Sequence, residues 1–280
     1  MSAMGTLDAL AAFVLLMVLC STSRVVRYYA KWTVFVVWST LSACLPIPLM
    51  LLKPLDWRNA LFPARSLRVL SRVFGVRMEV SGMENIVPDS GSVVLVNHQS
   101  LLDLHVLAEL WVRMDRCAVI SKREIFWLWP FGLAAWLWGT IFIDRLNPEK
   151  AQSTVNSTGE RVRRQKTRLL LFPEGTRNEG PDLLPFKKGA FHVAIASQTN
   201  IQPVVVSRYH FLDYKQSRYD SGTVVIKILP AISTEGLNKD DLAELLDRTY
   251  RIMQEEYKRV SEEAVKRDNV NLKERELASK

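Results

Sequence analysis

Cysteine is scarce in this 280-residue chain: Cys20, Cys44 and Cys117 are the whole complement. Their separations match no metal-ligand pattern and two of them sit in apolar runs, so they read as small core residues. Internal repeats and low-complexity tracts are also lacking, which removes a repeat array. Disorder is not the default, because 48% of the residues are apolar and the length suffices for one sizeable domain plus an extra segment. What the chain has in excess is positive charge. A net charge of +8 and a pI near 9.5 suggest an anionic partner: nucleic acid, an anionic membrane surface or a phosphorylated substrate. The one dense basic run, Arg161, Arg163, Arg164, Lys166 and Arg168, comes with no nucleic-acid recognition motif, and a solvated or membrane-facing helix explains it better. No nucleic-acid partner is therefore expected.

The placement of the apolar residues favours a membrane. Leu10 to Leu19 and Trp32 to Leu52 are nearly uncharged and flank Arg24, Arg27 and Lys31. The second run is long enough to cross a bilayer, the first is short for a full span, and Pro46 and Pro48 should bend the end of the second. A cleaved signal is a poor account of the first run, since no basic residue precedes it and Asp8 stands where positive charge belongs. Lys53, Arg58, Arg65, Arg68 and Arg72 follow the second run, so the positive-inside rule puts the remainder of the chain in the cytosol. The sequon at Asn156-Ser157-Thr158 is then expected to be unmodified. A third apolar run, Ile125 to Ile143, is rich in Trp and Phe but interrupted by Pro130, Gly132 and Gly139. It is expected to be a partly buried interfacial helix leading into a strand.

Beyond residue 60, short apolar runs alternate with helical ones. Ala64 to Phe74 predicts a basic amphipathic helix, with Leu67, Leu70 and Val73 on one side. Strands are predicted at Val76 to Val80, Ser92 to Val96, Cys117 to Ile120, Thr140 to Ile143, Arg168 to Phe172, Ile201 to Val206 and Val224 to Leu229. That alternation implies an α/β fold: a central, mostly parallel or mixed β-sheet flanked by helices and preceded by N-terminal membrane helices. Lys239 to Lys266 predicts a charged helix whose stripe of Leu242, Leu245, Leu246, Tyr250 and Met253 packs on the sheet. After Arg267 the chain is polar and expected to fray. The division is 1–60 for membrane attachment, 61–267 for the α/β domain and 268–280 for a polar tail.

Two stretches carry chemistry. His98 follows Val93-Val94-Leu95-Val96, at the carboxyl end of a strand, where open α/β sheets place ligands. Residues five apart lie about 140° apart around a helix, so His98 and Asp103 meet only if His98 precedes the helix and Asp103 reaches back from its first turns. Asp103 then holds one ring nitrogen, leaving the other to accept a proton from a hydroxyl. Taken alone, the pair is equally well explained as a capping cluster. The second stretch is Phe172-Pro173-Glu174-Gly175-Thr176-Arg177, after the strand Leu169-Leu170-Leu171. Gly175 permits a tight turn, and Arg177 offers a planar fork of donors to a phosphate. Arg145 and Phe186-Lys187-Lys188-Gly189 add cations from other strand ends, and convergence on phosphate explains the set.

These blocks resemble the lysophosphatidic acid acyltransferase family of glycerolipid acyltransferases. The likeness covers roughly residues 75 to 230: His98 with Asp103, Gly139 to Arg145, Phe172 to Arg177, and the proline-containing strand around Ile201-Gln202-Pro203-Val204, in that order. Ile201 stands where the family often has a further proline. The resemblance implies acyl transfer from acyl-CoA, as co-substrate, to a free hydroxyl of lysophosphatidic acid, with no tightly bound cofactor and no metal. His98 would be the base and Asp103 its orienting partner. Arg145, Glu174, Gly175, Thr176 and Arg177 would form the acceptor's phosphate site, with Glu174 fixing Arg177 or another cation. Lys122, Lys187 and Pro203 are further candidates for substrate binding. Membrane lipids are the expected surroundings and the endoplasmic reticulum membrane the expected location.

Rival readings are weaker. Ser100, His98 and Asp103 share one heptapeptide, but no Gly-x-Ser-x-Gly elbow is present and their closeness fits no triad layout. Ser100 reads better as a helix-start residue. His98, Asp103, His105 and Glu109 match no common zinc spacing, and His105 reads as a helix-face histidine. His192 and His210 have no assigned role. A membrane-anchored lipid-binding protein without catalysis would be expected to have lost His98, Asp103, Glu174 or Arg177, and all four are present.

Overall fold

The computed structural model describes residues 21–143 and 157–278. Arg145, Asn156 and the first apolar run lie outside them. Helix α1 (Arg24–Cys44) opens the described chain and stops just before Pro46, which begins a short second helix at Ile47–Met50. Arg24 to Met50 is long and apolar enough to cross a membrane, and only 22% of its apolar window is buried. The buried side chains, Tyr28, Phe35, Ser42 and Ala43, recur at near-heptad spacing and form one narrow stripe. Along that stripe α1 packs on α2 (Leu61–Val73) and on other parts of the domain. Leu67 and Leu70 of α2 face inward as expected, whereas Val73 is turned outward and exposed.

A seven-stranded sheet forms the centre. Its strands are β1 (Val76–Ser81), β2 (Ser92–Val96), β3 (Cys117–Lys122), β4 (Ile141–Ile143), β5 (Arg168–Leu171), β6 (Ile201–Val206) and β9 (Gly222–Ile228). A separate two-stranded hairpin, β7 (Leu212–Asp213) and β8 (Arg218–Tyr219), lies between β6 and β9 in sequence. The order across the main sheet is β1-β9-β6-β2-β5-β3-β4. All neighbours run parallel except β6 and β9, so the sheet is mixed. β2 has no polar face because it has no exposed one. Val94 and Val96 join the core beneath α1, α2 and α3 (Asp103–Arg113), while Val93 and Leu95 join the opposite core beneath α5 (Gly189–Ser197) and α6 (Leu242–Ala278).

Proline in an interior strand removes a ladder donor. At Pro203 in β6 the neighbouring side chain repairs the loss. Leu229 N–H donates to the Pro203 carbonyl at 2.9 Å, and the Leu229 carbonyl, which a proline cannot serve, accepts from the side-chain amide of Gln202.

The aromatic run is not one helix. It forms a 3₁₀ turn at Arg123–Trp127, then α4 (Phe131–Leu137), then β4, which pairs in parallel with β3. A strand inside the sheet cannot lie across a bilayer from its neighbour, so the run does not cross. The C-terminal expectation needs correcting as well: the chain past Arg267 does not fray but stays helical to Ala278. Asp268 explains the persistence, because it accepts from Thr223 N–H at 2.8 Å and from Arg77 at 2.7 Å, pinning the helix to β9 and β1.

Candidate active site

Parallel pairing brings the carboxyl ends of β2, β5, β3 and β4 to one edge of the sheet. His98 leaves β2 there, and the Glu174 turn leaves β5 beside it. Asn97 and Gln99 flank His98 and both turn toward the end of β6. Asn97 exchanges bonds with Val206, accepting from its N–H at 2.7 Å and donating to its carbonyl at 3.0 Å, while Gln99 donates to the Ser207 carbonyl at 3.0 Å. His98 turns the other way and stacks on Phe172, ring centroids 3.9 Å apart and planes 15° apart.

Asp103 is the first residue of α3 and reaches back. Its Oδ2 lies 2.6 Å from His98 Nδ1 and accepts from the N–H groups of Gln99 and Ser100 at 2.7 and 3.1 Å. Its Oδ1 accepts from the Tyr209 hydroxyl at 2.6 Å. A carboxylate so surrounded by donors is held as an acceptor, which sets the proton on Nδ1 and leaves the Nε2 lone pair available. His98 retains 19% side-chain exposure against 4% for Asp103, so the ring and not the carboxylate is open to the surface. Burial and the adjacent Asp103 charge both push the Tyr209 hydroxyl far above its usual pKa, keeping it a neutral donor.

Glu174 corrects an expectation. Its described partners are not guanidinium groups: Oε1 accepts from His98 N–H at 2.8 Å and Oε2 from Leu184 N–H at 2.8 Å, with Asn178 at 3.5 Å. It is 1% exposed, and burial raises its pKa against the opposing pull of those bonds. Asn178 N–H in turn donates to the His98 carbonyl at 2.8 Å. The turn after β5 therefore grips the His98 peptide from both sides.

Thr176 and Arg177 of that turn are exposed. Gly175 has φ +72°, and a Cβ there would come within 3.3 Å of Lys187 Cγ, so the Lys187 stem lies across the turn. Lys122 is exposed at the carboxyl end of β3. Pro203 differs: it lies inside β6 opposite Leu95, enclosed by the sheet and away from this surface. Arg145 lies outside the described residues. Ser100 caps the turn, its hydroxyl accepting from Leu102 N–H at 2.9 Å. His105 and Glu109 do not join His98. His105 Nδ1 lies 3.1 Å from the Leu67 carbonyl, and Glu109 pairs with Arg68 at 2.9 Å and with Arg113. Arg168, grouped above with a solvated run, is instead buried at the start of β5 and paired with Asp115.

Tyr209, Asn97, Gln99 and Asn178 were not among the residues singled out in the sequence. Asn97 and Gln99 had a signal, being amide side chains on either side of a histidine directly after an all-apolar strand. Tyr209 had none, since only the fold brings it to Asp103.

A histidine held by a carboxylate, with its second ring nitrogen open beside a turn that bears an exposed arginine, has the parts to take a proton from a hydroxyl group. The sequence model of the family described as Acyltransferase matches residues 77–207, which contain both blocks. Human 1-acyl-sn-glycerol-3-phosphate acyltransferase alpha is 37% identical over 243 residues, covering 86% of this chain and 84% of that protein. The human beta enzyme is 36% identical over 254 residues, covering 90% and 91%. The Haemophilus influenzae enzyme is 31% identical over 210 residues, covering 75% and 82%. The chain belongs to the 1-acyl-sn-glycerol-3-phosphate acyltransferase family. Its fold is that of the crystal structure of the LPA acyltransferase PlsC from Thermotoga maritima, with TM-score 0.62 over 84% of this chain and 99% of the other at 19% identity.

Proposed function

We propose that this protein transfers a fatty acyl group from acyl-CoA to the free sn-2 hydroxyl of 1-acyl-glycerol 3-phosphate, giving phosphatidic acid and CoA. The observation that carries the reading is the 2.6 Å contact between His98 Nδ1 and Asp103, which leaves Nε2 free beside the Glu174 to Arg177 turn. Relatives named for this acceptor support its identity.

In this scheme Nε2 of His98 takes the proton of the acceptor hydroxyl as its oxygen attacks the thioester carbonyl. The tetrahedral intermediate collapses by breaking the carbon–sulfur bond, and the departing CoA thiolate recovers the proton from His98. No acyl-enzyme forms and no tightly bound cofactor is required. Arg177, with Arg145 and the neighbouring Lys187 and Lys122, would hold the acceptor phosphate. Glu174 and Gly175 would act by shaping the turn. The domain then runs from 61 to 267 with membrane attachment before it. The membrane is that of the endoplasmic reticulum, with the catalytic part toward the cytosol, in keeping with the cations that follow the apolar helices.

Base catalysis of this kind is worth about a hundred- to ten-thousand-fold. His98→Ala is expected to lose acyl-CoA-dependent phosphatidic acid formation by at least that factor while the protein stays folded and membrane-bound. Wild-type turnover by the variant would sink the mechanism. A panel of acceptors with one acyl-CoA, run in native membranes and in detergent, separates lysophosphatidic acid from glycerol 3-phosphate or another lysophospholipid.

A further inference from the structure

A second basic cleft lies at the opposite edge of the sheet. It is lined by Lys53, Asp56, Arg58, Arg116, Arg161 and Gln165, among others, and holds about 440 Å³. Arg116 and Thr167 immediately precede β3 and β5, and Cys117 opens β3, so the cleft sits at the amino ends of strands whose carboxyl ends carry the candidate active site. At about 3.3 Å per residue the strands alone put some 15 Å between the two.

The charges do not cancel. Asp56 accepts from Arg58 N–H at 2.9 Å and pairs with Lys53 at 3.1 Å and Arg58 at 3.4 Å, which offsets one of those two cations. Arg116 is engaged by Asp89 at 2.9 Å and Asp115 at 3.1 Å. Arg161 is half-buried, and among the described residues it has no carboxylate or hydrogen-bond acceptor. Its guanidinium lies against the bare backbone of Gly139, where a Cβ would stand 2.8 Å from Nη2. Burial pulls its pKa down, yet a guanidinium stays charged. A half-buried cation with no partner is costly unless an anion completes it.

We propose that this cleft binds the phosphate head group of a membrane lipid, separately from the active site. Two cations left uncompensated among the described residues, Arg161 and one of the Lys53 and Arg58 pair, match the charge of about −1.5 to −2 on a phosphate monoester. The forked donors of Arg161 suit its oxygens. The apolar lip selects the lipid over free phosphate: Leu51, Leu52 and Leu55 are exposed where the chain leaves the apolar helices and enters the cleft, and acyl chains would lie along them.

Equilibrium binding of short-chain phosphatidic acid to the full-length protein in detergent tests this. Two sites per chain are expected. Arg161→Gln should remove one and leave the other, while Arg177→Ala should act on the other alone. The double variant Lys53→Gln/Arg58→Gln, whose side chains are 72% and 62% exposed and therefore safe for folding, should weaken the same site as Arg161→Gln by at least tenfold. Binding unchanged in both cleft variants overturns the proposal, whatever Arg177→Ala does. Inorganic phosphate added as competitor should not displace lipid from the second site at matched concentration, and displacement would overturn the lipid assignment.

Discussion

A histidine serves as a base when its ring is fixed and one nitrogen is left free, and around His98, for which that role is proposed, several residues meet those conditions. Asp103 holds Nδ1, Phe172 fixes the ring plane, and Glu174 and Asn178 hold the backbone on either side. Asp103 needs restraint of its own, which the Gln99 and Ser100 N–H groups and the Tyr209 hydroxyl supply. A hydrogen bond to a charged group is worth about 1.5–3 kcal/mol, on the order of ten- to a hundred-fold. Tyr209→Phe is therefore expected to lower kcat by that factor with little change in either KM, read from steady-state turnover. A KM effect with unchanged kcat would remove Tyr209 from the support of the base. His105 supplies a stability prediction. Burial lowers its pKa from 6.5 to about 4, and its ring packs on Phe35 of α1. The unfolded chain then binds the extra proton first, so stability is full above about pH 6.5, falls as pH drops, and has lost its whole contribution by about pH 4. The loss amounts to about 3 kcal/mol. His105→Phe keeps a ring against Phe35 and cannot charge, and its denaturation midpoint should fall less steeply between pH 7 and 4.5 than that of the wild type. Parallel slopes would contradict this.

The hairpin β7–β8 connects α1 to the candidate active site. Trp32 of α1 stacks on Tyr214, which lies between the two strands, with centroids 5.8 Å apart, and Lys31 donates to the Tyr219 carbonyl at 2.9 Å. The Tyr214 hydroxyl lies 2.9 Å from Ser100 Oγ, and Ser100 N–H donates to Asp103. The apolar helix thereby braces the loop that carries His98. Trp32→Ala and Tyr214→Phe are each expected to cut turnover several-fold, since a neutral hydrogen bond or an aromatic contact is worth about 1 kcal/mol. Trp32→Phe should restore most of the loss, and failure of that rescue would reduce Trp32 to packing. Much at this scale was legible. The strands stood out because apolar runs of four to six residues alternated with helical periods, and His98 and Asp103 could be placed because a five-residue offset admits only one arrangement. Three features were not. Glu174 looked like a partner for a cation because a sequence does not show that a carboxylate is buried under backbone donors. Tyr209 is 106 positions from Asp103, and only the pairing of β2 with β6 joins them. The helix past Arg267 reads as a polar tail, yet Asp268 holds it to the sheet.

Two apolar surfaces are left open by the packing, as the proposed membrane attachment requires. One is the outer side of α1, whose inner stripe is used against the domain. The other is the knob Trp127-Leu128-Trp129, between the end of β3 and α4, with Trp127 70% and Trp129 72% exposed. α4 packs against both α1 and the Ile47–Met50 helix, which brings the knob to the same side as α1. β3 ends at Lys122, so the knob follows from the same edge of the sheet that carries His98. Such a rim suits an amphiphile that keeps its chain in the bilayer and raises only its head group. Burying a third of an indole, on the order of 60 Å², contributes about 1.5 kcal/mol, close to tenfold in partitioning. Trp127→Ser/Trp129→Ser should then weaken binding to phospholipid vesicles by tenfold or more in a flotation assay, while turnover of detergent-dispersed acceptor stays near wild type. Unchanged flotation with reduced turnover in detergent would instead assign the two indoles to substrate binding.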